Sequence, residues 1–399
     1  MTGPAPVPQR AVLVLPSTGS FDARAHRIAA ALAGRGHEVT VLARPGRGLE
    51  AETRDPTGYR TLRTGQAVQP VARSPLRQIR QVEAILRQRS AAAAALPGPP
   101  DLIHAMGLMG LPVGIALRDR LGGALVYDAR DLYVDAANLA RFPSPVRRLV
   151  GAVERRWARA ADRVVTVNDA LADVLADRLG CERPLVVLNA SPMRPSEGPR
   201  PRRFHEALGL SAATPIVLYQ GGFSPDRGIP ELLDAMTEVP DVHLVLLGYG
   251  RLEDEIRVRS AGPDLAGRVS VLAAVAPGEL PEWVASADVV AIPIQGTTLN
   301  HRLATPNKLF EAIAAGVPVV ASDLPGMASV VRELDAGILV DPSRPTAIAG
   351  GIRALLEPAL DVRELTRSRI RAAAAEKYEW TAQLDRLLGE YGRLTGRPW

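Results

Sequence analysis

Residues 11–43 read AVLVLPSTGSFDARAHRIAAALAGRGHEVTVLA. Ala11 to Leu15 is a short apolar run with no polar alternation, as expected of a strand buried on both faces. Pro16-Ser17-Thr18-Gly19-Ser20 carries turn residues, and Asp22 to Ala33 shows helical spacing that stops at Gly34. Glu38 to Ala43 then reads as a second strand. A strand–turn–helix–strand unit of this length opens a doubly wound α/β sheet. Further strands follow at Leu102–His104, Ala124–Tyr127, Val164–Val167 and Val186–Leu188, with helices between them.

The rhythm breaks at Ser191–Arg203, SPMRPSEGPRPRR, which holds four prolines and reads as a linker. It then restarts, with strands at Ile216–Tyr219, His243–Leu247, Val269–Leu272, Val289–Pro293, Val317–Ala321 and Ile338–Val340. Helices fit between these, for example Pro230–Met236 and Pro306–Ala315. The expected organisation is a disordered lead over 1–9, a Rossmann-like domain over 10–190, the linker over 191–203 and a second α/β domain over 204–377. A final helix within 378–399 is expected to pack back toward the first domain.

The 399 residues have near-average apolar (47%) and charged (23%) content, which excludes wholesale disorder. No apolar run approaches the ~20 residues of a membrane span, and the N-terminus has no signal-peptide pattern. One cysteine, Cys181, excludes a disulfide framework and a multi-cysteine metal site. The chain reads as cytoplasmic. The net charge of +5 comes with a marked skew, since of 48 basic residues only Lys308 and Lys377 are lysines. Aromatics are 4%, without the basic–aromatic interleaving of a nucleic-acid surface. Two stretches, Arg73–Arg89 and Pro145–Arg163, are densely basic. A solvated helix face explains them, and the alternative is contact with an anionic membrane surface on the inner face, through Arg147, Arg148, Arg155 and Arg156.

The most informative stretch is Thr305-Pro306-Asn307-Lys308-Leu309-Phe310-Glu311. Thr305 suits an N-cap and Pro306 the first helical position. A helix N-terminus attracts anions, and Lys308 adds a full charge there. Glu311 lies three residues on, on the same face. A cation at the phosphate end and a carboxylate one turn deeper suit a nucleoside diphosphate; an ordinary surface Lys–Glu pair has the same spacing. That lysine appears in a chain that otherwise writes arginine hints that a compact charge is wanted. The second piece is Tyr219-Gln220-Gly221-Gly222-Phe223-Ser224-Pro225-Asp226-Arg227-Gly228, at the exit of a strand, where paired glycines allow close backbone approach and an arginine can fork onto phosphate oxygens; an ordinary turn explains the glycines as well.

Here the chain resembles a family. GGFSPDRGIPELLDAM, HLVLLGYG, ADVVAIPI and TPNKLFEAIAAGVPVVASDLPG, in that order, look like the donor half of retaining GT-B glycosyltransferases of family 4 (group 1). GHEVTVLA, DLIHAMG, YDARDLY, ADRVVTVNDAL and VVLNASP resemble the first half. The resemblance spans roughly residues 10 to 395. It implies two doubly wound Rossmann-like domains facing across a cleft and a sugar transferred from a nucleotide-diphosphate sugar, such as a UDP-sugar, to an unidentified acceptor. Transfer is expected to retain configuration and to need no metal and no cofactor, the nucleotide sugar being substrate.

Residue by residue, the resemblance makes Arg227 and Lys308 the catalytic charges. It makes Gly19, Gly222, Arg227, Asn307, Lys308, Leu309 and Glu311 the donor-binding set. His104 and Arg130 are candidate acceptor or sugar contacts; the structural alternatives are a neutral, satisfied histidine at a strand end for His104 and pairing with Asp128 or Asp131 for Arg130. Three positions depart from the common pattern. Leu303 stands where many relatives have Glu, Gly222 where many have Arg, and Arg130 where many have His. These departures motivate the alternative of a non-catalytic nucleotide-binding protein acting with a partner enzyme. First-domain loops at Phe21–Arg24, Arg44–Tyr59 and Asp135–Pro145 are the candidate acceptor readers.

Overall fold

The computed structural model describes residues 8–20, 22–65, 67, 88–89, 91–136, 139–193 and 199–399. The chain forms two compact units. Unit 1 comprises Met1–Val187 with Leu384–Trp399, and unit 2 comprises Leu188–Gln383.

Unit 1 is built on an eight-stranded sheet of β1 (Arg10–Val14), β2 (Glu38–Ala43), β3 (Glu52–Arg54), β4 (Arg60–Arg63), β5 (Leu102–Met106), β6 (Ala124–Asp128), β7 (Arg163–Thr166) and β8 (Leu185–Val186). The spatial order is β3-β4-β2-β1-β5-β6-β7-β8. All neighbours are parallel except β3 and β4, which form an antiparallel hairpin at the edge. The central strands are buried almost throughout, so they show as unbroken apolar runs. β3 is polar and partly exposed and falls within the Arg44–Tyr59 stretch that the sequence reads as a loop, while β4 buries Thr61 and Leu62. Strand order reverses at β1, which lies between β2 and β5. The turn Pro16–Asp22 therefore sits at a topological switch point. Asp22 closes that turn by capping the helix Ala23–Gly34, its carboxylate accepting from the Ala25 amide at 3.1 Å.

The last helix, Trp380–Thr395, buries Leu384, Leu387, Leu388 and Tyr391 on one face. From Leu384 onward it is part of unit 1. The Trp399 ring lies 4.8 Å from that of His37, and the Gln9 amide donates to the Pro398 carbonyl at 2.7 Å.

Unit 2 has a six-stranded all-parallel sheet of β9 (Ile216–Gly222), β10 (His243–Tyr249), β11 (Val269–Leu272), β12 (Val289–Ile292), β13 (Val319–Ser322) and β14 (Gly337–Val340), in the order β11-β10-β9-β12-β13-β14. Its switch point lies between β9 and β12. Two segments leave the sheet there: the loop from Phe223 to Gly228 after β9, and the chain after β12 that leads to the helix Asn307–Ala314. Leu309, Phe310, Ala312 and Ile313 anchor that helix among Val245, Ile292 and Met327. The helix begins one residue later than its sequence suggests. Pro306, in extended backbone, is the cap, and its carbonyl accepts from the Leu309 amide at 2.9 Å.

The loop after β9 is pinned at Gly228, whose φ is +70° and whose Cα faces the Pro293 carbonyl so closely that a Cβ would stand 1.8 Å from its oxygen. Neither a side chain nor an ordinary φ fits there. Gly228→Ala is expected to cost more than about 2 kcal/mol, from strain plus the clash. Equilibrium urea unfolding checks this, and a loss below 0.5 kcal/mol, the level of an ordinary surface change, contradicts it.

Candidate active site

At the carboxyl end of β9, Tyr219, Gln220 and Gly221 meet the first turn of the helix Asn307–Ala314. Lys308 is only 9% exposed. Its ammonium lies 3.6 Å from the centroid of the Tyr219 ring, a cation–π contact. Among the described residues, no hydrogen-bond acceptor faces the Lys308 Nζ. Gly221, with φ +122°, leaves room for it: a Cβ there would stand 3.5 Å from Nζ. Tyr219 is held in turn, its hydroxyl donating to the Gly222 carbonyl at 3.0 Å. One helical turn below Lys308, Glu311 accepts from the Gln220 Nε2 at 3.4 Å.

Burial pushes the Lys308 ammonium far below its ordinary value, the positive charge of Arg227 adds to this, and Glu311 opposes it. Burial raises the Tyr219 hydroxyl, and Arg227 pulls it the other way. Arg227 is thus close enough to act on both groups. It is half-buried, and no hydrogen bond or ion pair ties it to a described residue. Two basic side chains thus come together at a switch point, with no hydrogen bond or ion pair to a carboxylate among the described residues.

The other candidate residues fall into three groups. Gly222 and Asn307 are exposed beside this site. Leu309 is fully buried in the core. Gly19, His104 and Arg130 belong to unit 1: Gly19 and Arg130 in the segments that follow β1 and β6, and His104 in the middle of β5. Gly19 has φ +80°, and its carbonyl accepts from the His26 Nε2 at 2.6 Å. Arg130 pairs with neither Asp128 nor Asp131. Its NH1 lies 2.9 Å from both carboxylate oxygens of Asp22, because Asp128 is already committed elsewhere.

That commitment is a buried chain. Arg24 Nε donates to Asp128 Oδ2 at 2.7 Å, and Arg24 NH1 donates to the Val187 carbonyl at 2.8 Å. His104 Nε2 lies 3.1 Å from Asp128 Oδ2, and His104 Nδ1 lies 2.7 Å from the Tyr391 hydroxyl. With the carboxylate accepting at Nε2, the tyrosine serves Nδ1. Burial alone would raise the Asp128 carboxyl, but the Arg24 charge and the His104 hydrogen bond hold it far below the usual carboxylate range. Both ring nitrogens of His104 are used, so it stands in a satisfied structural network. The sequence gives no role to Tyr219, Gln220 or Tyr391, and it offers Asp128 only as a partner for Arg130. A polar Gln220 at the end of an apolar strand was the one signal available.

Comparison with known proteins shows the family. Residues 23–189 match the family described as Glycosyltransferase Family 4, and residues 214–358 match Glycosyl transferases group 1. The D-inositol 3-phosphate glycosyltransferase of Acidothermus cellulolyticus is 31% identical over 401 residues, covering 94% of this chain and 85% of that protein. The protein of the same name from Segniliparus rotundus is 28% identical, covering 88% and 82%. Among solved structures, sucrose-phosphate synthase from Thermosynechococcus elongatus superposes with a TM-score of 0.76 at 21% identity, over 97% of this chain and 99% of that one. Anabaena HepE in complex with UDP-glucose gives 0.68 at 20% identity, over 97% and 100%. The chain belongs to the family 4, group 1 glycosyltransferases. It is a glycosyltransferase of GT-B fold, with two Rossmann-like α/β domains.

Proposed function

We propose that the enzyme transfers a sugar from a UDP-sugar to an acceptor hydroxyl, with retention of configuration, and that Arg227 and Lys308 supply the charge that a metal supplies in other transferases. The observation that carries this is the Lys308 ammonium, buried without an anion in the first turn of a helix, beside a second unpaired cation. Breaking the glycosyl–phosphate bond puts negative charge on the departing diphosphate. Fixed cations and the first amides of the helix stabilise that charge without having to reorganise. The acceptor oxygen bonds to the anomeric carbon from the leaving-group face while the carbon–oxygen bond to phosphate breaks. The acceptor's proton passes to a phosphate oxygen of the leaving diphosphate, so no enzyme base is required. Glu311 lies where it can receive the nucleoside. UDP and UDP-glucose in the HepE structures favour uridine as the base. The names of the curated relatives make D-inositol 3-phosphate the first acceptor to test.

Arg227→Ala and Lys308→Ala are each expected to cut turnover by ~10²–10³-fold, the cost of one lost transition-state donor. Glu311→Ala is expected mainly to weaken nucleotide binding, and a chelator to leave the rate unchanged. UDP release from the UDP-sugar that best raises the melting temperature reads all of these. Full activity in both basic variants contradicts the assignment.

The same proposal places the helix Ser144–Ala158 against an anionic membrane. Among the described residues no helix is long and apolar enough to span a membrane, so the contact is peripheral. Two of the four arginines are otherwise engaged: Arg147 with Asp135 and the Val134 carbonyl, Arg155 with the Arg178 carbonyl. Arg148 and Arg156 are exposed, and between them Leu149 is 66% exposed. The basic stretch Arg73–Arg89 lies outside the described residues except at Gln88 and Arg89. Flotation with phosphatidylglycerol vesicles is expected to carry the protein upward at low salt, and Arg148→Glu with Arg156→Glu to abolish this. Protein that stays at the bottom contradicts the contact.

A further inference from the structure

Gln220 is 3% exposed, at a strand end otherwise lined by apolar side chains and glycine. Its amide is only half used. Nε2 points to the Glu311 carboxylate, and that contact orients the amide, because a carboxylate only accepts. Oε1 is buried and has no partner among the described residues. Lys308 Nζ, on the helix turn that also carries Glu311, is the other buried polar atom of this site without a partner. An unpaired buried acceptor and an unpaired buried cation at one strand end, with a carboxylate beside the acceptor, are rare in a purely structural setting. Together they define a ligand with an anionic group at one end and two hydroxyl donors close to it. A ribose 5′-diphosphate has that pattern.

We propose that Gln220 reads the ribose: its Oε1 accepts from one ribose hydroxyl and Glu311 from the other, while Nε2 keeps Glu311 in place. This rests on the nucleotide reading above and goes beyond it, since Gln220 then contributes to nucleoside selection. A deoxyribonucleotide leaves the buried acceptor unmatched and binds more weakly. The competing role is a prop that only positions Glu311.

Calorimetric binding of UDP, 2′-deoxy-UDP and 3′-deoxy-UDP to the wild type and to Gln220→Met separates the two roles. The wild type is expected to prefer UDP over one of the two analogues by about tenfold, the scale of one buried hydrogen bond. Gln220→Met is expected to bind UDP about tenfold more weakly and to lose that preference to within about twofold, giving a double-mutant coupling between side chain and hydroxyl. Gln220→Asn, which keeps the amide but shortens it, serves the same cycle if the methionine variant does not fold. Wild-type discrimination retained in the variant, or UDP bound as tightly as by the wild type, overturns the proposal while leaving the nucleotide site standing. A wild type that binds none of UDP, ADP, GDP and TDP removes the nucleotide reading, and this proposal with it.

Discussion

The Lys308 ammonium is held out of water over the Tyr219 ring, with no anion to match it. Burying a cation is costly unless something opposite completes it. Everything around the site maintains that position. The apolar face of the helix Asn307–Ala314 is locked into the core, so its first turn cannot drift outward. The Tyr219 ring is clamped through its hydroxyl to the Gly222 carbonyl. Gly221 offers no side chain to displace the lysine. Arg227 adds like charge nearby, which makes the free site still less comfortable and an incoming dianion more welcome. On the proposed reading, the scaffold stores an electrostatic deficit that a bound diphosphate would relieve.

Unit 1 shows the contrasting case. Arg24, Asp128, His104 and Tyr391 are as deeply buried as Lys308, yet each of their polar groups has a partner. That network ties β5, β6 and the C-terminal helix together, and it asks for no ligand. Arg130 and Asp22 repeat the pattern nearer the surface, anchoring the cap of the first helix. The difference between satisfied and unsatisfied burial, more than residue type, separates scaffold from site here.

The fold was largely legible because strands of a parallel sheet are apolar on both faces and stand out between helices. The strands that escaped, Glu52–Arg54 and Arg60–Arg63, form a short edge hairpin, and Glu52–Arg54 lies in the polar stretch Arg44–Tyr59 that reads as loop. Lys308 and Glu311 were legible through helix spacing and through the rarity of lysine. The partners of His104 and Arg130 were not. Tyr391 lies 287 residues from His104 and Asp22 lies 108 from Arg130, and no local pattern encodes such pairings. Gln220 is one polar residue at a strand end, and such a residue carries no chemistry until its neighbours are known.

The most direct test is the proton balance of nucleotide binding. In the free protein the Lys308 ammonium titrates far below its ordinary value, and a bound diphosphate raises it again. Between those two values, binding must take up a proton, and affinity must fall as pH rises, by up to about tenfold per unit. UDP titrated calorimetrically above about pH 7, where its own terminal phosphate is already ionised, in buffers of different ionisation enthalpy, measures this uptake. The account predicts net proton uptake by the wild type, lost in Lys308→Met. Binding that is independent of pH, with no proton taken up by the wild type, contradicts it.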